Sequence, residues 1–272
     1  MQSTTRRTRV AIGVVAFVVL LFVLLAIQVR TNTGLVHLDR RIEDAVDAAR
    51  TPSLTTIAHA VTNLGRVSVV AVLAAAAALL MAIRRDYLGP LALGLGLGVT
   101  GLTVTVVKNL VRRSRPPVAE MLGAPPNSFS FPSGHSAGSA VFLGVLTLLL
   151  LRTIRHRLAR AAIVAGAVVL ALGVGWSRVY LGFHWTSDVI GGWLVATAVL
   201  TLTAVALTAL DGRFTGASRW PACSPYPSRR TRCAGIYAAP GRSTPVAGPP
   251  TVDAPPPYSP GSRRYPRCAR WA

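Results

Sequence analysis

The sequence predicts an all-α fold: an integral membrane bundle of six transmembrane helices with an interfacial amphipathic helix and a disordered C-terminal tail. Three observations carry this. Hydrophobic residues make up 51% of the 272 residues and charged ones only 14%. The apolar residues gather in six runs, at about 10–29, 67–83, 88–107, 136–151, 161–176 and 189–210, too long for the helices of a soluble core. Beyond residue 210 the composition turns to Pro, Ser, Gly and Arg, which cannot bury a core.

The first run follows Arg6, Arg7 and Arg9. It exceeds the roughly 7–15 apolar residues of a signal peptide, and no small-x-small cleavage site follows. It is therefore read as an uncleaved signal anchor, against a competing signal peptide of twin-arginine type suggested by "TRRTR". Residues 35–50, "LVHLDRRIEDAVDAAR", put apolar positions at helical spacing opposite a charged face, the pattern of an interfacial helix. The second, fourth and fifth runs fall short of the roughly 20 residues a span needs and must borrow flanking turns; residues 54–66 can extend the second. Within the third, "GLGVTG" at 96–101 satisfies the dinucleotide pattern G-x-G-x-x-G but lacks its strand-turn-helix context and its acidic residue. Gly94, Gly98 and Gly101 are expected instead to let helices approach closely. The expected organisation is an anchor and amphipathic helix over 1–53, a core with five transmembrane helices over 54–210, and a tail over 211–272.

The net charge of +20 divides into +8 in residues 211–272, ten Arg against Asp211 and Asp253, and +12 in the remainder. No nucleic-acid-binding motif accompanies it, so the excess reads as attraction to the bilayer surface plus a basic tail, and no nucleic acid partner is expected. Cys223, Cys233 and Cys268 all lie in the tail without zinc-ligand spacing, so no metal site, disulfide framework or other cofactor is expected. "PPPY" at 255–258 would suit a polyproline-reading domain, but composition alone accounts for it. Nine basic residues fall in loops assigned to the inside and ten in those assigned outside, so the count does not orient the bundle; the terminal arginines favour both termini in the cytoplasm.

Residues 108–135 and 177–188 are separated by two spans and must emerge on one face, so their polar side chains can meet. The first segment supplies Lys108, Arg112, Arg113 and Arg115, and Lys108 is the one lysine beside 28 arginines. On a helix Lys108 and Arg115 stand two turns apart on one face, a cation pair suited to a dianion such as phosphate. A basic cluster snorkelling to headgroups fits this segment equally. "FPSGHSAGSA" places Ser133, Gly134 and His135 at a helix start, where free N–H groups and a close glycine backbone accept an anion; an N-cap at Ser133 and an interfacial His135 are the plain alternative. In "SRVYLGFHWTSDV", His184 and Asp188 are four apart and Arg178 adds a cation. The Asp188 carboxylate can take one imidazole N–H and leave the other nitrogen as a base or a nucleophile. Trp176, Tyr180, Phe183 and Trp185 read as an interfacial aromatic belt.

Three strings, K-x6-R-P (Lys108, Arg115, Pro116), P-S-G-H (132–135) and S-R-x5-H-x3-D (Ser177, Arg178, His184, Asp188), resemble the three signature motifs of the type 2 phosphatidic acid phosphatase superfamily. The resemblance covers about residues 54–210 and implies a metal-independent, two-step hydrolysis of a membrane lipid phosphate or diphosphate. By that resemblance His184 is the nucleophile forming a phosphohistidine, Asp188 orients it, and His135 is the general acid. Lys108, Arg115, Ser133, Gly134 and Arg178 hold the phosphoryl group. Arg112 and Arg113 are not motif positions and are left as headgroup contacts. The expected location is a bacterial plasma membrane with the site on the extracytoplasmic face. A phosphotransferase using the same intermediate, or a non-catalytic phosphate-lipid transporter, are the competing functions.

Overall fold

A computed structural model describes residues 2–217, with side-chain environments characterised as far as residue 210. The tail expected over 211–272 begins later, since α8 continues as helix to Ala217; the rest of the tail, with its expected disorder, its PPPY string and its three cysteines, lies outside the described residues. Among the described residues all regular structure is helical: α1 (Gln2–Thr31), α2 (His37–Ala48), α3 (Pro52–Leu64), α4 (Val67–Ile83), α5 (Leu88–Val111), α6 (Gly134–Thr153), α7 (Arg157–Tyr180) and α8 (Thr186–Ala217).

Five of these, α1, α5, α6, α7 and α8, are long and apolar enough to cross a bilayer. The sixth expected span is a bent pair, because α3 and α4 pass the same test only together and meet at an angle of 49°. The sequence shows why. Thr51 caps α3 by accepting the Leu54 amide and Pro52 opens it, while Gly65 and the extended Arg66 end it before α4 begins. The break brings α3 against the C-terminal half of α7, where the Tyr180 hydroxyl accepts the Thr51 amide at 3.0 Å.

The core lies where α5, α6 and α8 meet, on Leu93, Val141, Val145, Ala196 and Val199. Its small side chains permit close packing, which inside a bilayer replaces the hydrophobic drive that lipid removes. The glycines that do this are not the expected ones. A methyl group at Gly94, Gly98 or Gly101 would meet nothing, whereas one at Gly192 would stand 2.7 Å from the Ser133 carbonyl and one at Gly175 2.4 Å from the Trp193 ring. Close approach is thus used where α8 meets the start of α6 and where α7 meets α8. The run 96–101 is uninterrupted α-helix, which removes the dinucleotide reading.

α1 lies along α8, and Phe22 stacks on Phe131 with ring centroids 5.6 Å apart. α2 turns two of its acids inward, Asp39 and Glu43 being buried, while Leu35, just before it, and Leu38 and Ile42 within it face outward. An outward apolar face and an inward polar one are what an interfacial helix needs when its polar partners belong to the protein.

Candidate functional site

The site forms at one end of the bundle, where the α5–α6 and α7–α8 connections fold onto each other. α5 stops at Val111, and Arg112 takes a left-handed conformation (φ 53°) that ends the helix with its amide on the Lys108 carbonyl. The helical-spacing argument for Lys108 and Arg115 is therefore corrected: Arg115 is not on a helix. The two cations converge because the chain reverses at Arg112 and carries Arg115 back across the bundle end. Residues 128–130 then supply backbone carbonyls to both. Lys108 Nζ donates to the Phe129 and, at 3.1 Å, the Ser130 carbonyl; Arg115 Nε donates to Ser128 O at 2.8 Å.

The opposing wall is built by the turn between α7 and α8. His184 precedes α8, and Gly182 (φ 72°) makes the turn, packed so closely that a methyl there would stand 2.7 Å from the Glu120 carbonyl. Asp188, in the first turn of α8, sends Oδ2 back to the Trp185 amide at 3.0 Å, closing the helix start as a capping box does. The same oxygen accepts the Ser130 hydroxyl and lies 3.3 Å from His184 Nδ1.

The other imidazole nitrogen settles the tautomer. Arg115 Nη1 lies 3.2 Å from His184 Nε2, and a guanidinium can only donate, so Nε2 holds the lone pair and Nδ1 the proton given to Asp188. Burial pushes the His184 imidazole down to about 3, outweighing the Asp188 bond that pulls it up. His184 is therefore a neutral base whose Nε2 electron pair faces the cleft and is held there by the Arg115 guanidinium. Burial also lowers the Arg115 guanidinium from its ordinary value, with Asp188 opposing.

Lys108, Arg115, Gly134, His135, Arg178 and His184 all line one cleft of about 930 Å³. Arg178 is held by a bond from Nη1 to Thr62 Oγ1 at 2.9 Å and by stacking on Phe183, 4.2 Å from the ring centre. Its Nε is buried with no hydrogen-bond partner among the described residues. Ser133 alone of the predicted phosphate ligands is absent from the lining. It is fully buried and its hydroxyl caps α6, accepting from the Ser136 amide and hydroxyl. Away from the charged end the cleft continues between α4 and α5 along Val67, Val70, Ala71, Leu97, Gly101 and Val104, a mostly apolar trough. Its mixed lining, cationic at one end and apolar along the rest, matches an amphiphile with a phosphate head.

Two sequence expectations are corrected here. Tyr180 and Phe183 are not belt residues, being 2% and 7% exposed; Tyr180 bonds to Thr51 and Phe183 supports Arg178. Arg113 is not turned to headgroups. Its side chain is 10% exposed and joins Asp188 Oδ1 and Asp39 Oδ2, each at 2.7 Å. Sequence reasoning missed Arg113, Asp39, Thr62 and Ser130. Only Ser130 carried a signal, its place just before the P-S-G-H string; nothing local in α2 or α3 distinguishes Asp39 or Thr62.

Comparison with known proteins fits this geometry. Residues 89–210 match the family model of the PAP2 superfamily. Phosphatidylglycerophosphatase B of Bacillus subtilis is 34% identical over 177 residues, 64% of this chain and 84% of that protein. An undecaprenyl-diphosphatase of Sulfolobus acidocaldarius is 36% identical over 83 residues, 30% of this chain and 36% of its own length. The crystal structure of a transmembrane PAP2-type phosphatidylglycerolphosphate phosphatase from Bacillus subtilis superposes with a TM-score of 0.61 at 29% identity, covering 76% of this chain and 98% of that one. With such a relative spanned over most of its length, and with all three motif strings gathered at one cleft, the chain belongs to the PAP2 superfamily and is an integral membrane phosphatase.

Proposed function

We propose that the protein hydrolyses the terminal phosphate of a membrane lipid phosphate or diphosphate, of the phosphatidylglycerol phosphate or polyprenyl diphosphate type, without a metal ion and through a phosphohistidine at His184. The observation that carries this reading is the line Asp188–His184–Arg115 inside a cationic cleft that runs on into an apolar trough. The two relatives' names, a phosphatidylglycerophosphatase and an undecaprenyl-diphosphatase, support the substrate class.

In this reading a phosphate oxygen takes over the Arg115 bond, which frees the Nε2 pair to attack phosphorus. The leaving oxygen departs with a proton from His135, while the His184 Nδ1–H stays on the ring and keeps its hydrogen bond to the Asp188 carboxylate. Water then attacks the phosphohistidine, giving its proton to His135, and the P–N bond breaks to return Nε2 to its starting state. Lys108, Arg115, Arg178 and the Gly134 amide balance the charge that gathers on the five-coordinate phosphorus. Arg178 Nε, a buried donor with no partner among the described residues, gains an acceptor when the phosphoryl group enters. Ser133 contributes through its cap, which fixes the start of α6 and so the Gly134 amide. Uncatalysed phosphate-monoester hydrolysis is so slow that enzymes accelerate it by up to ~10²¹, which gives this density of cations a purpose.

The same reading puts the cleft on the extracytoplasmic face. Arg6 and Arg9 at the N-terminus belong, by connectivity, to the end away from the cleft, and arginines just before a first span favour the cytoplasm; the basic loops, nearly even between the two ends, do not decide it. The test is purified protein in detergent, with chelator, offered phosphatidate, phosphatidylglycerol phosphate, diacylglycerol diphosphate and a polyprenyl diphosphate. Phosphate release from at least one, abolished in His184→Ala, is expected. Turnover by His184→Ala at the parental rate would remove His184 as nucleophile.

A further inference from the structure

Arg113 makes two of the site's ionic contacts, as many as Asp188, yet it is outside the phosphate cleft. Its Nη1 donates to Asp188 Oδ1 at 2.7 Å and to Ser187 Oγ at 2.6 Å, while its Nη2 donates to Asp39 Oδ2 at 2.7 Å. Asp39 in turn accepts the Ser187 amide at 2.9 Å on Oδ1 and the Ser187 hydroxyl on Oδ2. Asp39 is 4% exposed and Asp188 is fully buried, so two carboxylates share one guanidinium away from water. Bidentate sharing of this kind fixes geometry as well as charge.

The consequence falls on the imidazole. Asp188 Oδ2 is needed by His184 Nδ1, and a carboxylate turns about its Cβ–Cγ bond unless its second oxygen is pinned. Arg113 pins Oδ1. Asp39 keeps Arg113 extended and caps the first turn of α8 through the Ser187 amide, so the helix that carries Asp188 is fixed from the same point. Asp39 belongs to α2, the interfacial helix, which precedes the segment 89–210 matched by the family model.

We propose that Arg113 and Asp39 are positioning residues for the Asp188–His184 pair, making α2 part of the apparatus that aims the nucleophile. The proposal rests on His184 being the attacking group. Neither side chain touches the cleft, so both act on the chemical step and not on substrate capture.

The experiment measures kcat and KM separately for the parent, Arg113→Met, Arg113→Lys, Asp39→Asn and the Arg113→Met/Asp39→Asn pair, on the fastest lipid phosphate of the panel above. His184→Ala is run beside them. Arg113→Met is expected to lower kcat about 10- to 100-fold, the range typical for groups that orient a reacting side chain, with KM within about 2-fold of the parent. Arg113→Lys restores part of the loss, since an ammonium reaches one carboxylate but not both. Asp39→Asn lies between, and the pair is no slower than Arg113→Met, because the two substitutions break one link. A folded Arg113→Met, judged by its thermal midpoint in detergent, with parental kcat overturns the proposal, as does a loss carried by KM. If Arg113→Met does not fold, parental kcat in both Arg113→Lys and Asp39→Asn overturns it. An active His184→Ala would remove the reading beneath the proposal, and its inactivity beside a fully active Arg113→Met would remove the proposal alone.

Discussion

Asp188 and Glu43 are both buried carboxylates on helices at the cleft end of the bundle, and they are treated in opposite ways. Asp188 has every oxygen committed: Oδ1 to Arg113, Oδ2 to Ser130, the Trp185 amide and His184. Glu43, 3% exposed, has neither oxygen hydrogen-bonded among the described residues, and its nearest cation, Arg40, stands 3.7 Å off. Arg40 is taken up instead by both oxygens of Glu120, at 2.9 and 3.2 Å, and by Asp44 at 3.1 Å. The difference teaches what a buried acid needs to remain a directed anion. A cation alone at a distance does not suffice; the oxygens need donors in fixed places. Without them burial, helped by the Glu120 charge, pushes the Glu43 carboxyl up to about 7. The first corner orients a neighbour; the second shifts its acid toward the neutral form.

The largest way to break the contrast is Asp188→Asn. An amide in that place offers its NH2 or its oxygen to His184 with no charge to hold the Nδ1 proton, and the loss of correct tautomer should lower kcat about 10³- to 10⁴-fold, read as phosphate release in detergent. Arg178→Gln comes next. It removes a buried donor of the cleft wall that has no partner among the described residues, and a loss of about 10²-fold in kcat/KM is expected by the same assay. Ser130→Ala takes one of the four donors from Asp188 and leaves the others, so a loss of about 10-fold in kcat with unchanged KM should follow.

The smallest effect sharpens the other corner. Between about pH 4.5 and 7 a carboxyl raised in the fold is largely protonated there, while in the unfolded chain, at its ordinary 4.5, it is largely ionised. Its contribution to stability is therefore complete below about pH 4.5 and is lost as pH rises through 7. Glu43→Gln should raise the thermal midpoint in detergent by about 2–4 °C above pH 7 and leave it unchanged near pH 4, with kcat untouched at either pH. An equal gain at both pH values would mean that Glu43 carries its charge in the fold throughout.

Much of this protein was legible as a string, and the reasons are local. Apolar length marks a span because a bilayer has a fixed thickness. Spacing within one short segment puts His184 beside Asp188, and two intervening spans force the segments 108–135 and 177–188 to one end, so the cluster of Lys108, Arg115, His135, Arg178 and His184 about one cleft was readable without coordinates. What the tertiary structure alone decided are the relations across distance. A left-handed Arg112 turned Arg115 into the cleft where helical spacing had been expected to do so. The bend at Gly65–Arg66 brought Thr62 to Arg178. The inward polar face of α2 set Asp39 on Arg113 and so on Asp188. Such contacts have no sequence period to betray them: a buried ion pair is fixed by where two helices happen to cross, and the residues that make it look, in the chain alone, like any other surface charge.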